Sequence, residues 1–197
     1  MTVRQTMRLI GSDFQRMSQL MGIRLFPAGW LFLAITPSIM ALMLYRWSHW
    51  LHGKRRLRVF AWLLWIGNTY LTGVDILPSA RIGRGCYIGH PVGMVIAGRV
   101  GEEVSFFGST VLGGGRGRGD VGGGEGLPVI GDHVFVGVGA RILGPVTVGD
   151  GAIIGAAALV LADVPAGMVA AGVPARVIKA AADSVDFEAR AAEGANG

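Results

Sequence analysis

The sequence predicts a mainly β fold, a parallel β-helix of six-residue repeats, preceded by an apolar α-helical region. Apolar residues recur every six positions in the second half of the chain, and 26 of the 33 glycines lie between Gly73 and Gly172. All five tryptophans lie between Trp30 and Trp65. This change of composition predicts three segments: an apolar helical region (1–74), a β-helix (75–179) with a loop at 113–129, and a C-terminal helix or tail (180–197).

The first segment contains 21 uncharged residues from Leu25 to Tyr45, enough to span a bilayer, although Pro27 and Pro37 interrupt the run. We predict one helix from Ser38 to Leu51, with Ser38 as its N-cap, and a second from Leu57 to Leu71.

The second of these helices is apolar around nearly its whole circumference, so it must be buried in protein or in lipid. Two interpretations stay open: a subunit interface, or peripheral contact of residues 25–71 with a membrane surface. The basic run from His52 to Arg58 fits anionic lipid or a solvated turn between helices. A nucleic-acid partner is not expected, because the glycine-rich half shows no basic surface interleaved with aromatic residues.

Cys86 is the only cysteine, which excludes a framework of disulfides and fits a reducing compartment. We therefore expect a cytoplasmic protein, or one held peripherally at the inner membrane face. The thiol falls at a position of the repeat that takes small core residues, so we interpret Cys86 as a packing residue.

The repeat is the most specific pattern in the chain. Steps of six residues meet only large apolar side chains, at Ile76, Ile82, Ile88, Met94, Val100, Phe106 and Leu112, and again at Ile130, Val136, Ile142, Val148, Ile154 and Val160. Glycine often follows, and the fifth position of each unit is small or β-branched, as at Val92 and Val104. We expect one short strand per unit, with stability that comes from stacking one coil on the next.

Function is expected where this pattern breaks. The segment from Gly113 to Pro128 has no apolar periodicity and predicts a flexible loop that leaves the coil. Its glycines and arginines suit a close approach to phosphate groups, with a disordered segment as the alternative.

A second break is His90, which is too polar for the core and is expected to point outward from a corner. A histidine is a natural general base for a hydroxyl nucleophile. Asp75 lies fifteen residues earlier, an offset that brings the two close in an eighteen-residue coil. Its carboxylate could orient the imidazole, or Asp75 could instead cap the first coil.

The stretches TGVDILPSARIGRGCYIGH, VLGGG and PVIGDHVFVGVGARILGPVTVGDGAIIG resemble the serine acetyltransferase family of left-handed β-helix acyltransferases. The resemblance covers about residues 38–179. It implies acetyl-CoA as the donor, a homotrimer or a dimer of trimers, and active sites between neighbouring subunits. We expect no metal, because the coils hold only two histidines.

The resemblance also assigns site residues. His90 matches the catalytic histidine of the family, and Asp75 matches its carboxylate partner. The positions matched near the acetyl group and pantetheine of CoA are Gly114, Gly115 and Val138, and the matched partners for its phosphates are Arg141, Arg176 and Lys179.

Two departures concern the acceptor. The family carries an Asp before the catalytic histidine, where this chain has Gly89, and an Arg-His pair before the proline that re-enters the coil, where it has Gly126 and Leu127. Since these groups hold the serine zwitterion and an unpaired charge is costly to bury, the sequence favours a glycan acceptor. The expectation is thus a sugar or polysaccharide-precursor O-acetyltransferase, with serine O-acetylation as the alternative.

Two further alternatives are weaker. A metal-dependent β-helix hydratase needs three clustered histidines, and the coils hold only His90 and His133. A non-catalytic scaffold would lack CoA binding.

Overall fold

The computed structural model describes residues 1–23, 27–115 and 117–183. Four α-helices come first, followed by fifteen short strands. The helices are α1 (Val3–Met21), α2 (Pro27–Ile35), α3 (Pro37–His52) and α4 (Arg58–Thr72), with a 3-10 turn at Arg55–Leu57. Of the predicted C-terminal helix or tail, Ala181–Asp183 forms a 3-10 turn and residues 184–197 lie outside the described residues.

The strands form three sheets that are the faces of a triangular coil. Sheet A contains β1 (Val74–Ile76), β4 (Met94–Ile96), β7 (Val111–Gly113), β10 (Arg141–Leu143) and β13 (Leu159–Val160). Sheet B contains β2 (Arg81–Ile82), β5 (Arg99–Val100), β8 (Val129–Ile130) and β11 (Thr147–Val148). Sheet C contains β3 (Tyr87–Gly89), β6 (Ser105–Phe107), β9 (Phe135–Val136), β12 (Ile153–Ile154), β14 (Met168–Gly172) and β15 (Ala175–Ala180).

All neighbouring strands are parallel except β14 and β15, which form an antiparallel pair. Every residue of the predicted six-residue series is buried, none more than 7% exposed. The prediction of a mainly β solenoid with stacked coils is confirmed.

The register of one coil differs from the prediction. On sheet A, Ile76 pairs with Ile96 and Ile96 with Leu112, so these neighbours are 20 and 16 residues apart rather than 18. Two residues are therefore inserted in the turn between β3 and β4 and removed again in the turn between β4 and β5. Both Met94 and Ile96 are buried, because alternate residues of a strand share a face.

The inserted turn contradicts one core assignment. Val92, predicted as a small core residue, is 73% exposed at its tip. The shortened turn is closed by Gly98, with φ +91° and a position where a Cβ would lie 2.3 Å from the Pro128 carbonyl oxygen. Only glycine fits there.

The helices are fixed to the first coil by a buried ion pair. The Arg46 guanidinium on α3 donates to both carboxylate oxygens of Asp13 on α1, at 3.0 and 3.1 Å, and each residue is 1% exposed. Arg46 also donates to the carbonyl oxygens of Ile82 and Gly83, and Asp13 accepts from the Cys86 amide. The clamp between α1, α3 and the first coil therefore gives hydrogen-bond partners to both buried charged groups.

The helix boundaries correct two details of the prediction. Helix α3 begins at Pro37 with Thr36 in the N-cap position, so Ser38 is not the cap. Proline suits this first helical position because its missing N–H would have no partner there. Helix α4 runs from Arg58 to Thr72, close to the predicted Leu57 to Leu71.

The predicted uncharged run is broken. Leu25 lies outside the described residues, and the segments Gly29–Ile35 and Pro37–His52 meet at an angle of 77°. In the part of the chain that the structure describes, no single helix has the length and hydropathy of a membrane span.

Candidate active site

Asp75 is placed by the junction between α4 and the coil. The helix ends at Gly73 in a left-handed conformation, and β1 then directs Val74 and Ile76 inward and Asp75 outward. The half-buried Asp75 carboxylate accepts a hydrogen bond of 2.6 Å from the Trp65 indole N–H on α4. A charge-assisted bond of this length fixes the carboxylate in orientation.

His90 begins the inserted turn at the edge between sheets C and A. Its side chain is exposed, as predicted. The turn is fastened to the start of β1, because the Gly93 amide donates to the Gly73 carbonyl oxygen at 3.1 Å. The structure thus brings His90 and Asp75 to the same edge of adjacent coils, although no hydrogen bond joins them within the described residues.

The backbone of His90 has a positive φ of 55°. This conformation is uncommon for residues other than glycine and can mark a functional site. Four other non-glycine residues share it at coil corners, namely Glu103, Ser109, His133 and Ala157. The strained backbone is therefore a property of the corners, and what distinguishes His90 is the longer turn on which it lies.

Successive turns stack along the edge that holds His90. Ser109 donates its amide hydrogen to the Val92 carbonyl oxygen, Gly139 to Gly108, and Ala157 to Val138. Val138 is 54% exposed on the same edge. Its side chain is therefore available to a ligand lying along the coils below His90.

Gly114 and Gly115 lie at a different edge, between sheets A and B, where the glycine-rich loop (113–129) leaves β7. At Gly115 a Cβ would lie 2.9 Å from the Gly144 Cα, so a side chain would push the loop away from β10. In a single chain these glycines and His90 stand on opposite margins of sheet A. A site built at a single corner of one chain therefore cannot contain both.

The glycine-rich loop contains hydrogen bonds within its own described residues. Asp120 accepts hydrogen bonds from the amides of Gly122 and Gly124, which lower the pKa of its carboxyl group. The Gly126 amide donates to the Gly119 carbonyl oxygen at 2.8 Å. The described part of the loop therefore folds back on itself, and Arg116 lies outside the described residues.

The basic residues assigned to CoA phosphates are dispersed. Arg141 points outward from β10 on sheet A, beside Val111 of β7. Arg176 and Lys179 lie on β15, near the far end of the coil from His90. Groups of three or more His, Cys, Asp or Glu residues with the spacing of a metal site do not occur among the described residues.

The outer face of sheet C, next to His90, carries an aromatic cluster that the sequence did not predict. Tyr87, Phe107 and Phe135 form a ladder on the outside of sheet C, with ring centroids 5.9 and 5.0 Å apart. Gly89 is buried beneath it, and a Cβ at this position would lie 3.1 Å from the Phe107 ring. A side chain before His90 would therefore press on the Phe107 ring, and glycine avoids this contact.

Comparison with known proteins identifies the family. Residues 128–162 match the model for bacterial transferase hexapeptide (six repeats). A serine acetyltransferase from Helicobacter pylori strain J99 is 41% identical over 152 residues, which are 76% of this chain and 85% of that protein.

Solved structures agree with this similarity. The Neisseria gonorrhoeae serine acetyltransferase in complex with serine superposes with a TM-score of 0.76 and 30% identity, over 89% of this chain and 70% of that chain. A serine acetyltransferase in complex with CoA gives the same TM-score and identity over 89% and 70%.

These relatives correct one expectation. The expectation of a sugar or polysaccharide-precursor O-acetyltransferase is wrong, because the relatives and structural neighbours are named as serine acetyltransferases, which favours the serine alternative. The scaffold alternative is excluded as well, since the chain is an acyltransferase that uses acetyl-CoA. The protein belongs to the serine acetyltransferase family of left-handed β-helix, hexapeptide-repeat enzymes.

Proposed function

We propose that the protein transfers the acetyl group of acetyl-CoA to the hydroxyl of serine, with His90 as general base. The observation that carries the proposal is the inserted turn, which begins at His90 and is hydrogen-bonded through the Gly93 amide to Gly73, two residues before Asp75. The family relatives supply the acceptor and the donor, since solved neighbours are complexes with serine and with CoA.

The reaction is a direct transfer. The His90 imidazole takes the hydroxyl proton while the serine oxygen attacks the thioester carbonyl carbon. The carbon–sulfur bond then breaks, and the imidazolium returns the proton to the CoA thiolate. The products are O-acetylserine and CoA, and no covalent enzyme intermediate forms.

Asp75 acts through His90. Trp65 holds one of its carboxylate oxygens, and in the proposed mechanism the other accepts from the imidazole and stabilises its protonated form. Backbone N–H groups near Gly114 and Gly115 would stabilise the oxyanion.

The donor site that we propose runs between two subunits. Gly114 and Gly115 of one chain face the edge of the next chain that carries His90 and Val138, and Arg141, Arg176 and Lys179 supply charge for the CoA phosphates. This arrangement requires a cyclic oligomer, and we propose the homotrimer that the family resemblance implies. A dimer of trimers is the alternative assembly.

The two departures from the family pattern lead to an expectation for the KM of serine. Gly89 and Leu127 cannot pair with the ammonium or carboxylate of serine, and each charge-assisted hydrogen bond that is lost costs about 1.5–3 kcal/mol. We therefore expect a serine KM at least tenfold above that of relatives that carry the charged residues, measured under the same conditions.

We propose separate roles for the three segments of the chain. Residues 1–74 fix the first coil, residues 75–179 carry the chemistry, and the segment 180–197 is assigned no role. We propose a cytoplasmic location, which is supported by the requirement for acetyl-CoA and by the lone, buried Cys86.

Thiol release from acetyl-CoA in the presence of L-serine tests the function directly. His90→Ala should lower turnover by a hundredfold or more while CoA still binds, as is usual when a general base is removed. His133→Ala is the matched control, since His133 is an exposed corner histidine with φ 56°. Turnover retained by His90→Ala would overturn the mechanism, and a wild-type protein without serine-dependent thiol release would overturn the acceptor.

A further inference from the structure

Helix α4 presents an apolar face away from the protein. Its opposite side, with Ala61, Asn68 and Thr72, is buried against the rest of the chain. The outward side carries four large side chains at helical spacing, with exposures of 68, 58, 43 and 88%: Val59, Leu63, Ile66 and Tyr70. We call this set the α4 face. Phe60 and Trp62 flank it and are also exposed.

A cluster of cations adjoins the N-terminal end of the α4 face. The turn that precedes the helix and the first residue of the helix hold four basic side chains, all exposed: Lys54, Arg55, Arg56 and Arg58. We call this set the basic turn. Among the ion pairs of the described residues, none involves a member of the basic turn.

The charge of the whole helical region has one sign. Residues 1–74 contain nine Lys or Arg residues and a single acidic residue, Asp13. The Asp13 carboxylate already forms the buried ion pair with Arg46. The region therefore carries +8, whereas the whole chain carries +5, so the remaining residues carry −3. An asymmetry of this kind favours a polyanionic surface as the partner of one end of a protein.

Two occupants could cover the α4 face, a second copy of the chain or a lipid surface. A second copy related by a twofold axis would bring its own cationic region against the first, without carboxylates between residues 14 and 74 to neutralise it. An anionic bilayer offers the opposite charge at its headgroups and an apolar layer just beneath. Exposed Trp62 and Tyr70 have the amphipathic rings that are enriched at that depth.

We propose that the α4 face and the basic turn dock the protein peripherally on an anionic lipid surface. The apolar side chains enter the boundary between headgroups and acyl chains, and the cations of the basic turn pair with lipid phosphates and carboxylates. The contact lies on the surface of the bilayer. The proposal is independent of the acceptor, because neither set includes Asp75, His90 or the glycine-rich loop.

Flotation of the full chain with lipid vesicles tests the proposal. The protein should float with vesicles of phosphatidylcholine and phosphatidylglycerol, and remain at the bottom with phosphatidylcholine alone. Since each cation near an anionic surface changes partitioning about fivefold, Arg55→Gln/Arg56→Gln should weaken binding about 30-fold. Leu63→Asp should also reduce binding, and high salt should release the protein.

The matched control is Arg4→Gln/Arg8→Gln, which removes the same charge from exposed positions on α1 outside both sets. This variant should bind vesicles more tightly than Arg55→Gln/Arg56→Gln. All variants should keep the wild-type rate of thiol release in solution, which separates failure of docking from failure of the proposed function. Equal binding to neutral and anionic vesicles would overturn the proposal. A larger assembly that Leu63→Asp dissociates, without any vesicle binding, would overturn it in favour of a second copy.

Discussion

At the scale of single residues, the proposed chemistry depends on how Asp75 is held. Its position was predictable, because the repeat identifies the first coil and the offset to His90 is visible in the sequence. The hydrogen bond between Asp75 and Trp65 could not be predicted. Periodicity indicates whether a side chain points inward or outward, but not which residue of an adjacent helix contacts it. The aromatic ladder above Gly89 escaped prediction for the same reason.

We predict that Trp65→Phe lowers kcat about tenfold with little change in the KM for acetyl-CoA, because a hydrogen bond to a charged acceptor is lost while the ring remains. Steady-state kinetics measures both values. Trp62→Phe is the control, since Trp62 is a neighbouring exposed indole in edge contact with Trp65. An unchanged kcat in Trp65→Phe would mean that the bond has no role in orienting Asp75.

Cys86 should be inert in the folded protein. Burial raises the pKa of its thiol to about 12, so almost no thiolate exists at mildly alkaline pH. A thiol reagent such as Ellman's reagent should react only after denaturation, and Leu161→Cys supplies an exposed thiol for comparison. Rapid labelling of the native wild type would contradict the buried position.

At the scale of elements, the coil was more predictable than the helices around it. Each strand obeys a local rule of inward and outward residues, so thirteen inward positions were identified correctly. The slip between β3 and β5 was hidden, because Met94 and Ile96 are both apolar and either could fill the inward position. The Asp13–Arg46 clamp was hidden because its members are 33 residues apart, although a lone acidic residue in the helical region hinted at a buried partner.

The clamp leads to a prediction on stability. Asp13→Asn should lower the free energy of unfolding by about 3 kcal/mol, because it leaves the Arg46 charge buried without its partner. Denaturant titration of wild type and variant measures the difference. Arg84→Gln, which breaks the exposed Arg84–Glu102 pair, should change the stability little. If both variants lost the same free energy of unfolding, the buried ion pair would contribute no more to stability than the exposed one.

At the scale of the whole molecule, the separation of His90 from Gly114 and Gly115 predicts complementation between subunits. His90→Ala and Gly115→Val should each be inactive. Random mixing after denaturation and refolding should restore roughly a quarter of the wild-type sites, because a heterologous interface joins one margin from each neighbour. A mixture of His90→Ala with His90→Gln is the control and should stay inactive. If the first mixture also stays inactive, each site lies within one chain.

The two-residue insertion in the turn at His90 bears on how far this corner can be changed without disturbing the coil. Because the insertion is cancelled in the turn that follows β4, the strands of sheets B and C in the neighbouring coils keep their register. A change in the length of this turn is therefore insulated from the rest of the solenoid. We therefore expect segments of different length grafted between Gly89 and Met94 to be accepted without repacking the core of the solenoid.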